Sequence, residues 1–248
     1  MRKTLLITAA LFAVAAQSSA VVLYSTGFEA PTFTSGTIGN QDGWQFYPSA
    51  SFATIQNSVV ATGSQALKMD TSTISSNWLW KPLSYDSNVH GSIVTTTAKF
   101  LYQPDARGHS AFGFDAYDIS GANRVAGLMV GGDGLARLLG SDGLYVASTT
   151  TLMSNVWYTV GLTINFAAGA VSGSINGVNL GVSATTNQTT LGDVDLWGYP
   201  FGPGTGTNGG FNNIYVDDFA VQAVPEPATM AALGLGVAAM LRRRRKSA

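Results

Sequence analysis

The sequence predicts an all-β chain, a single jelly-roll-type β-sandwich over residues 21–222, with an N-terminal signal helix before it and a short hydrophobic helix in a C-terminal tail after it. Three observations predict the sandwich. Val156, Tyr158, Val160, Leu162, Ile164 and Phe166 alternate with Trp157, Thr159, Gly161, Thr163 and Asn165, the period of two expected of a half-buried strand. Turn dipeptides recur between such runs, at Asp133-Gly134, Asp142-Gly143 and Asn176-Gly177, where a positive φ closes a tight hairpin. No stretch from Val21 to Val224 carries a helical period. Many short strands punctuated by Gly, Asn, Asp and Ser indicate a sandwich or jelly roll.

Taken in order, Arg2 and Lys3 precede an apolar run from Leu5 to Ala16, which ends in Gln17-Ser18-Ser19-Ala20. A positive end, a short apolar stretch and small residues describe a secretory leader cut by signal peptidase. The mature chain is therefore expected to start at Val21. Strands are expected at Gln65–Met69, Trp78–Leu83, Ile93–Tyr102 and Ala111–Tyr117. Arg124 to Thr149 reads as a meander of three short strands. The run ending at Phe166 turns at Ala167-Ala168-Gly169 into Ala170–Ile175, and Asn213–Val221 closes the domain.

The tail, residues 223–248, has three parts. Val224-Pro225-Glu226-Pro227 is followed by a small-residue apolar run from Ala228 to Leu241, then by Arg242, Arg243, Arg244, Arg245 and Lys246. This order resembles the PEP-CTERM sorting signal of exopolysaccharide-producing Gram-negative bacteria. The prolines fix φ and remove backbone donors, so the motif stays extended, and the basic cluster holds the terminus in the cytoplasm. As a helix, Ala228–Leu241 covers about 21 Å against a hydrocarbon core of roughly 30 Å, a span that suits a transient anchor. The resemblance implies that an exosortase-like membrane enzyme removes the tail. The unprocessed form would be held in the inner membrane, and the product would reach the envelope, outer surface or extracellular matrix.

Charge sharpens this reading. The whole chain has a formal charge of −1, but only six of its thirteen basic residues lie between Val21 and Val224, against thirteen of its fourteen acidic ones, so that stretch carries −7. Nucleic-acid binders show basic patches, and this domain is the reverse. The absence of cysteine removes disulfides and thiolate metal sites, and about 200 residues suffice for a core that stands without them.

The body carries a second resemblance. Gly27-Phe28-Glu29, Gly63-Ser64-Gln65-Ala66-Leu67, Trp157-Tyr158, Asn176-Gly177 and Val216-Asp217-Asp218-Phe219 are similar to motifs of concanavalin A-like (laminin G-like) and carbohydrate-binding-module sandwiches. That resemblance implies a structural Ca²⁺ shared by Glu29 and either Asp217 or Asp218, hard carboxylate oxygens being what calcium requires. It also implies a glycan, such as an exopolysaccharide, as partner. Trp44, Tyr47, Trp78, Trp80, Trp157, Trp197 and Tyr199 are many large rings for one sandwich, and sugars stack on such rings. Trp157, opposite the apolar row of its strand, and Trp197 with Tyr199, opening the Gly/Pro-rich stretch Trp197–Phe201, are the expected contacts.

Catalytic residues are not expected. Glu29 and Glu226 are the only glutamates, so a two-glutamate glycosidase apparatus cannot be assembled. Asp115 and Asp118 are odd-spaced and fall on opposite faces of a regular strand. His90 and His109 stand beside glycines without a His-Glu-x-x-His or Gly-x-Ser-x-Gly setting. Gly204-x-Gly206-x-x-Gly209 precedes a strand and not a helix, so it reads as a loop.

Overall fold

The computed structural model describes residues 20–70, 77–104, 111–199 and 211–224, with the backbone alone at Ala50, Asn77, Pro104, Tyr199, Phe211 and Asn212. Residues 1–19 of the expected leader, the tail from Pro225 onward, including Glu226, Pro227 and Arg242 to Lys246, His109 and residues 204–209 lie outside the described residues. Among the described residues no helix is long and apolar enough to cross a membrane.

Among the described residues sixteen strands follow in chain order: β1 Val21–Thr26, β2 Gly36–Thr37, β3 Gln45–Tyr47, β4 Ala53–Gln56, β5 Ala66–Asp70, β6 Asn77–Asp86, β7 Ile93–Pro104 and β8 Ala111–Tyr117; then β9 Arg124–Val130, β10 Leu135–Leu139, β11 Tyr145–Thr151, β12 Tyr158–Asn165, β13 Ala170–Ile175, β14 Val178–Thr185, β15 Thr190–Tyr199 and β16 Phe211–Val224. They form two antiparallel sheets. One runs β14-β13-β12-β7-β16-β5-β4-β2 with β1 also on β16; the other runs β11-β10-β9-β8-β15-β6-β3. The expected sandwich is present. The meander over 124–149 is β9 to β11, and Asn176 and Gly177 take φ of 51° and 77° in the two-residue hairpin from β13 to β14, the positive pair a tight hairpin needs.

Alternation makes the core. Phe112, Phe114 and Ala116 of β8 face inward, as do Val194 and Leu196 of β15. Across the gap, Phe100 of β7 meets Phe112 and Phe114 with ring centroids 5.3 Å and 5.1 Å apart. Phe219 of β16 packs against Trp44 and Phe114 at 5.4 Å and 6.3 Å. In β12 the inward row is Val160, Leu162 and Ile164, continued by Phe166. The strand starts at Tyr158, so Val156 and Trp157 precede it and Val156 is exposed.

β16 organises its sheet. Along one side it pairs with β7 throughout, whereas along the other Asn213 to Val216 pair with β5 and Phe219 to Ala223 pair with β1. Between these stretches a bulge at Asp217–Ala220, with Asp218 at φ 47°, interrupts the ladder. Bulges re-aim side chains. This one turns two carboxylates toward the segment after β1 and the loop before β5.

Candidate functional site

At that bulge the three acids singled out from sequence do meet, around Gly27, where a Cβ would stand 3.6 Å from Asp218 Oδ1, 3.7 Å from Glu29 Cγ and 3.8 Å from Asp217 Oδ1. Their oxygens, however, face donors. Asp217 is fully buried; its Oδ2 accepts the Ala61 and Thr62 N–H groups at 3.0 Å each and its Oδ1 accepts the Asp218 N–H at 2.8 Å. Glu29 accepts from Ser64 N–H, Gln65 N–H and the Ser64 hydroxyl at 2.8, 3.0 and 2.6 Å. Asp218 pairs with Lys99 Nζ at 2.7 Å and accepts the Thr62 hydroxyl. The Ser64 hydroxyl and the backbone N–H groups hold the Glu29 carboxyl below its ordinary range. Burial pushes Asp217 up, against the N–H groups it accepts. For Asp218 burial pulls upward too, and Lys99 with Thr62 outweighs it, leaving that carboxyl lowered.

Calcium needs six to eight oxygens converging on one point, and among the described residues no three acidic or histidine side chains are placed to hold a metal ion. The donor set as arranged does not fit the calcium expectation. Backbone N–H groups, hydroxyls and Lys99 fill the place a cation would take, and the knot ties β1, β5 and β16 together through hydrogen bonds.

The more chemical surface is the outward face of the seven-stranded sheet. Because Val194 and Leu196 point into the core, Asp193, Asp195 and Trp197 of β15 point out. Register then fixes their neighbours. Asp195 lies between Trp80 of β6 and Asp115 of β8; Trp197 lies between Trp78 and Gly113; Asp193 lies between Pro82 and Tyr117. Tyr47 of β3 extends the Trp78 row, its ring 5.8 Å from the indole at 49°. The result is an open groove of about 430 Å³ lined by Tyr47, Trp78, Trp80, Tyr117, Gly121, Asp193 and Asp195.

Its electrostatics follow from burial. Asp115 is 1% exposed, and burial raises its carboxyl to about 6 even though Arg124 donates to its Oδ2 from Nη2 at 2.9 Å and Nε at 3.2 Å. Arg124 also donates to the Tyr117 hydroxyl at 3.4 Å. Asp193 and Asp195 are both raised, first by burial, and the hydrogen bond they share stabilises Asp193 as carboxylate and Asp195 as acid. Such a pair titrates as a unit, with Asp195 keeping the proton. Gly127 of β9, opposite Asp115, makes room for this floor, since a Cβ there would collide with Asp115 Oδ1. Asp118 is elsewhere: it accepts from Ser120 Oγ, Asn123 N–H and Asn123 Nδ2, and these bonds, Asn123 first, lower it to about 2. It shapes the turn that brings Gly121 to the groove wall.

The sequence-selected aromatics divide differently from expectation. Trp197 is not the start of a loop but an interior position of β15, 2% exposed in a cluster with Ala111, Met129 and Leu139, with Trp78 against it. Its ring lies on the groove side, beside the acids, and being buried offers no free face to a sugar. Trp157 is half-buried just before β12, in the other sheet, so it shares no surface with Trp197. Of Tyr199 only the backbone, the end of β15, is described. Trp44 is 1% exposed in the core, its indole N–H donating to Tyr24 Oη at 3.0 Å. Asp193, Asp195 and Tyr117 were not singled out from sequence, although the alternation Asp193-Val194-Asp195-Leu196-Trp197 carries the signal.

Comparison with known proteins bears on the two parts separately. Residues 223–246 match the PEP-CTERM protein-sorting motif. The motif marks an exported protein, sorted to the cell envelope and processed by exosortase. Its first two residues, Ala223 and Val224, are still paired in β16, opposite Val94 and Ile93. No curated protein sequence matches the chain. The sandwich is similar to that of a conserved carbohydrate esterase from the Shiga toxin-encoding bacteriophage phi24B, at 15% identity, covering 84% of this chain and all of that one with a TM-score of 0.57. It is also similar to a cellulose-induced protein, Cip1, at 14% identity over 82% of this chain and 98% of that one, TM-score 0.56. A sialidase matches at 11% identity and TM-score 0.56 over 85% of this chain, which spans only 19% of the sialidase. At such identities the likeness is one of fold, a β-sandwich of two antiparallel sheets.

Proposed function

We propose that the mature protein is a non-catalytic glycan-binding module of the envelope or extracellular matrix, and that the groove over β3, β6, β15 and β8 is its binding surface. The observation that carries this is the juxtaposition of Tyr47, Trp78 and Trp80 with the Asp193–Asp195 pair in one open groove. Ring faces take the apolar faces of a sugar, and a few placed polar groups fix its orientation. Tyr47, 60% exposed, offers the most accessible ring. A protein named as a carbohydrate esterase is among the fold neighbours, which supports a carbohydrate ligand.

The same geometry argues against hydrolysis. Glycosidases hold two carboxyl groups roughly 5–9.5 Å apart, on either side of the scissile bond. Asp193 and Asp195 instead share a hydrogen bond, and Asp115 is buried beneath Arg124. Export would proceed by signal peptidase cleavage before Val21, with the precursor held in the inner membrane by residues 228–241 until exosortase acts.

A glycan array probed with the full chain, detergent-solubilised, tests the reading. Retention of at least one polysaccharide is expected, with loss on Tyr47→Ala or Trp80→Ala. Retention unaffected by both substitutions removes the groove as the site; no retention at all leaves a purely structural matrix role. Mass spectrometry of the protein from native envelope and medium tests the export steps, an intact C-terminus being the result that overturns tail removal.

A further inference from the structure

The lining of the groove is selective by charge as well as by shape. Among the described residues it holds three aromatic rings from β3 and β6, Tyr117 from β8 and two carboxyl groups from β15, and none of these lining residues is cationic. The guanidinium of Arg124 is committed to Asp115 and lies over the Tyr117 ring, 5.8 Å from its centroid. Asp193 is half-buried and is one of the residues lining the groove. A carboxylate in that position, beside ring faces, asks for a donor that is also a cation.

We propose that the groove takes a glycan bearing free amino groups, a partly or fully N-deacetylated hexosamine chain, in preference to its N-acetylated or carboxylated counterparts, with Asp193 as acceptor of the ammonium. The proposal rests on the glycan-binding reading and adds its ligand class. An ammonium on a carboxylate makes a charge-assisted hydrogen bond, about twice as strong as a neutral one, and the faces of Trp80, Trp78 and Tyr47 attract a cation as well. An acetamide at the same place gives a neutral donor only. A uronate or sialic acid would bring a second negative charge to a carboxylate with no free cation among the described residues of the groove to compensate it, and like charges that close disfavour ionisation of both.

The test uses the full chain in detergent with three probes of equal length: glucosamine oligomers, N-acetylglucosamine oligomers and oligogalacturonate, titrated by calorimetry at one fixed salt concentration. The expected order is glucosamine first by at least tenfold over its acetylated form, with oligogalacturonate undetectable. Because an acidic domain attracts polycations unspecifically, two variants decide the matter. Asp193→Asn should bring glucosamine binding down to the level of the acetylated oligomer, whereas Asp142→Asn, in the β10–β11 turn, should leave it unchanged. Equal binding of the two hexosamine probes, binding of oligogalacturonate, or a preference that survives Asp193→Asn overturns the proposal while leaving a glycan groove intact. Failure of all three probes to bind overturns it as well, and the array above then decides whether the groove takes any glycan.

Discussion

Gly127→Ala is the substitution that tests the floor of the groove most directly. The added methyl would stand 3.1 Å from Phe114 O and 3.4 Å from Leu139 Cβ, contacts the sheet can absorb, but it would also collide with Asp115 Oδ1. Asp115 must then swing away from the guanidinium of Arg124, which it now meets at 2.9 Å. Breaking a buried ion pair so that one charge is left without its partner costs about 3–5 kcal/mol, and replacing glycine in a strand interior returns roughly 0.5–1 kcal/mol through the unfolded chain. The net loss is about 2–4 kcal/mol, which for a domain of this size lowers Tm by roughly 5–15 °C. Thermal unfolding by circular dichroism reads it. The cycle with Asp115→Ala isolates the cause: once the carboxylate is gone, Gly127→Ala should cost almost nothing further. A neutral Gly127→Ala, or costs that simply add, would refute the steric account of Asp115.

Three other outcomes are expected. Calcium and chelator should leave Tm unchanged, because the oxygens of Glu29, Asp217 and Asp218 are filled by N–H groups, hydroxyls and Lys99; Asp217→Ala, which strands three backbone donors, should cost roughly 3 kcal/mol or more in urea unfolding, and a clear stabilisation by calcium would sink this view. The Asp193–Asp195 pair is raised in the folded state, so its contribution is fully present below the unfolded value of about 3.9 and is lost as pH rises through the folded values; stability should fall by up to about 1.4 kcal/mol per pH unit between pH 6 and 8, and Asp195→Asn should flatten that slope, a slope unaltered in the variant counting against the shared proton. Trp197→Ala should cost about 3–5 kcal/mol as a core truncation, well above Trp157→Ala, which removes a half-buried ring outside any strand; equal costs in denaturant unfolding would contradict the buried role.

The fold was legible where information is local. Ala111–Tyr117 and Ala170–Ile175 have the bounds their alternation predicts, and Asn176-Gly177 forms its hairpin because both residues tolerate positive φ. β15 was not anticipated, since Gly192, Asp193, Asp195 and Gly198 count against a strand by propensity; what holds it is pairing on both edges with β6 and β8. The acids break the propensity rule because the face they occupy is the lining of a groove and not a packed interior, which is where such local exceptions concentrate.

The same dependence on distant pairing explains why the site was harder to read than the fold. Asp193 and Asp195 share a hydrogen bond because residues i and i+2 of a strand lie on one face, and Asp115 joins them only because β8 and β15 run side by side although 72 residues separate Tyr117 from Thr190 in sequence. Trp197 illustrates the limit from the other direction. Its position in the alternation places it on the groove side, beside the acids, but whether a ring on that side is a platform or a support depends on Ala111, Met129, Leu139 and Trp78, brought to it by three other strands and the end of a fourth. Periodicity assigns a side chain to a face; only sheet order decides what covers it. For that reason Trp80 and Tyr47, which period and composition do not separate from Trp197, line the open groove while Trp197 does not.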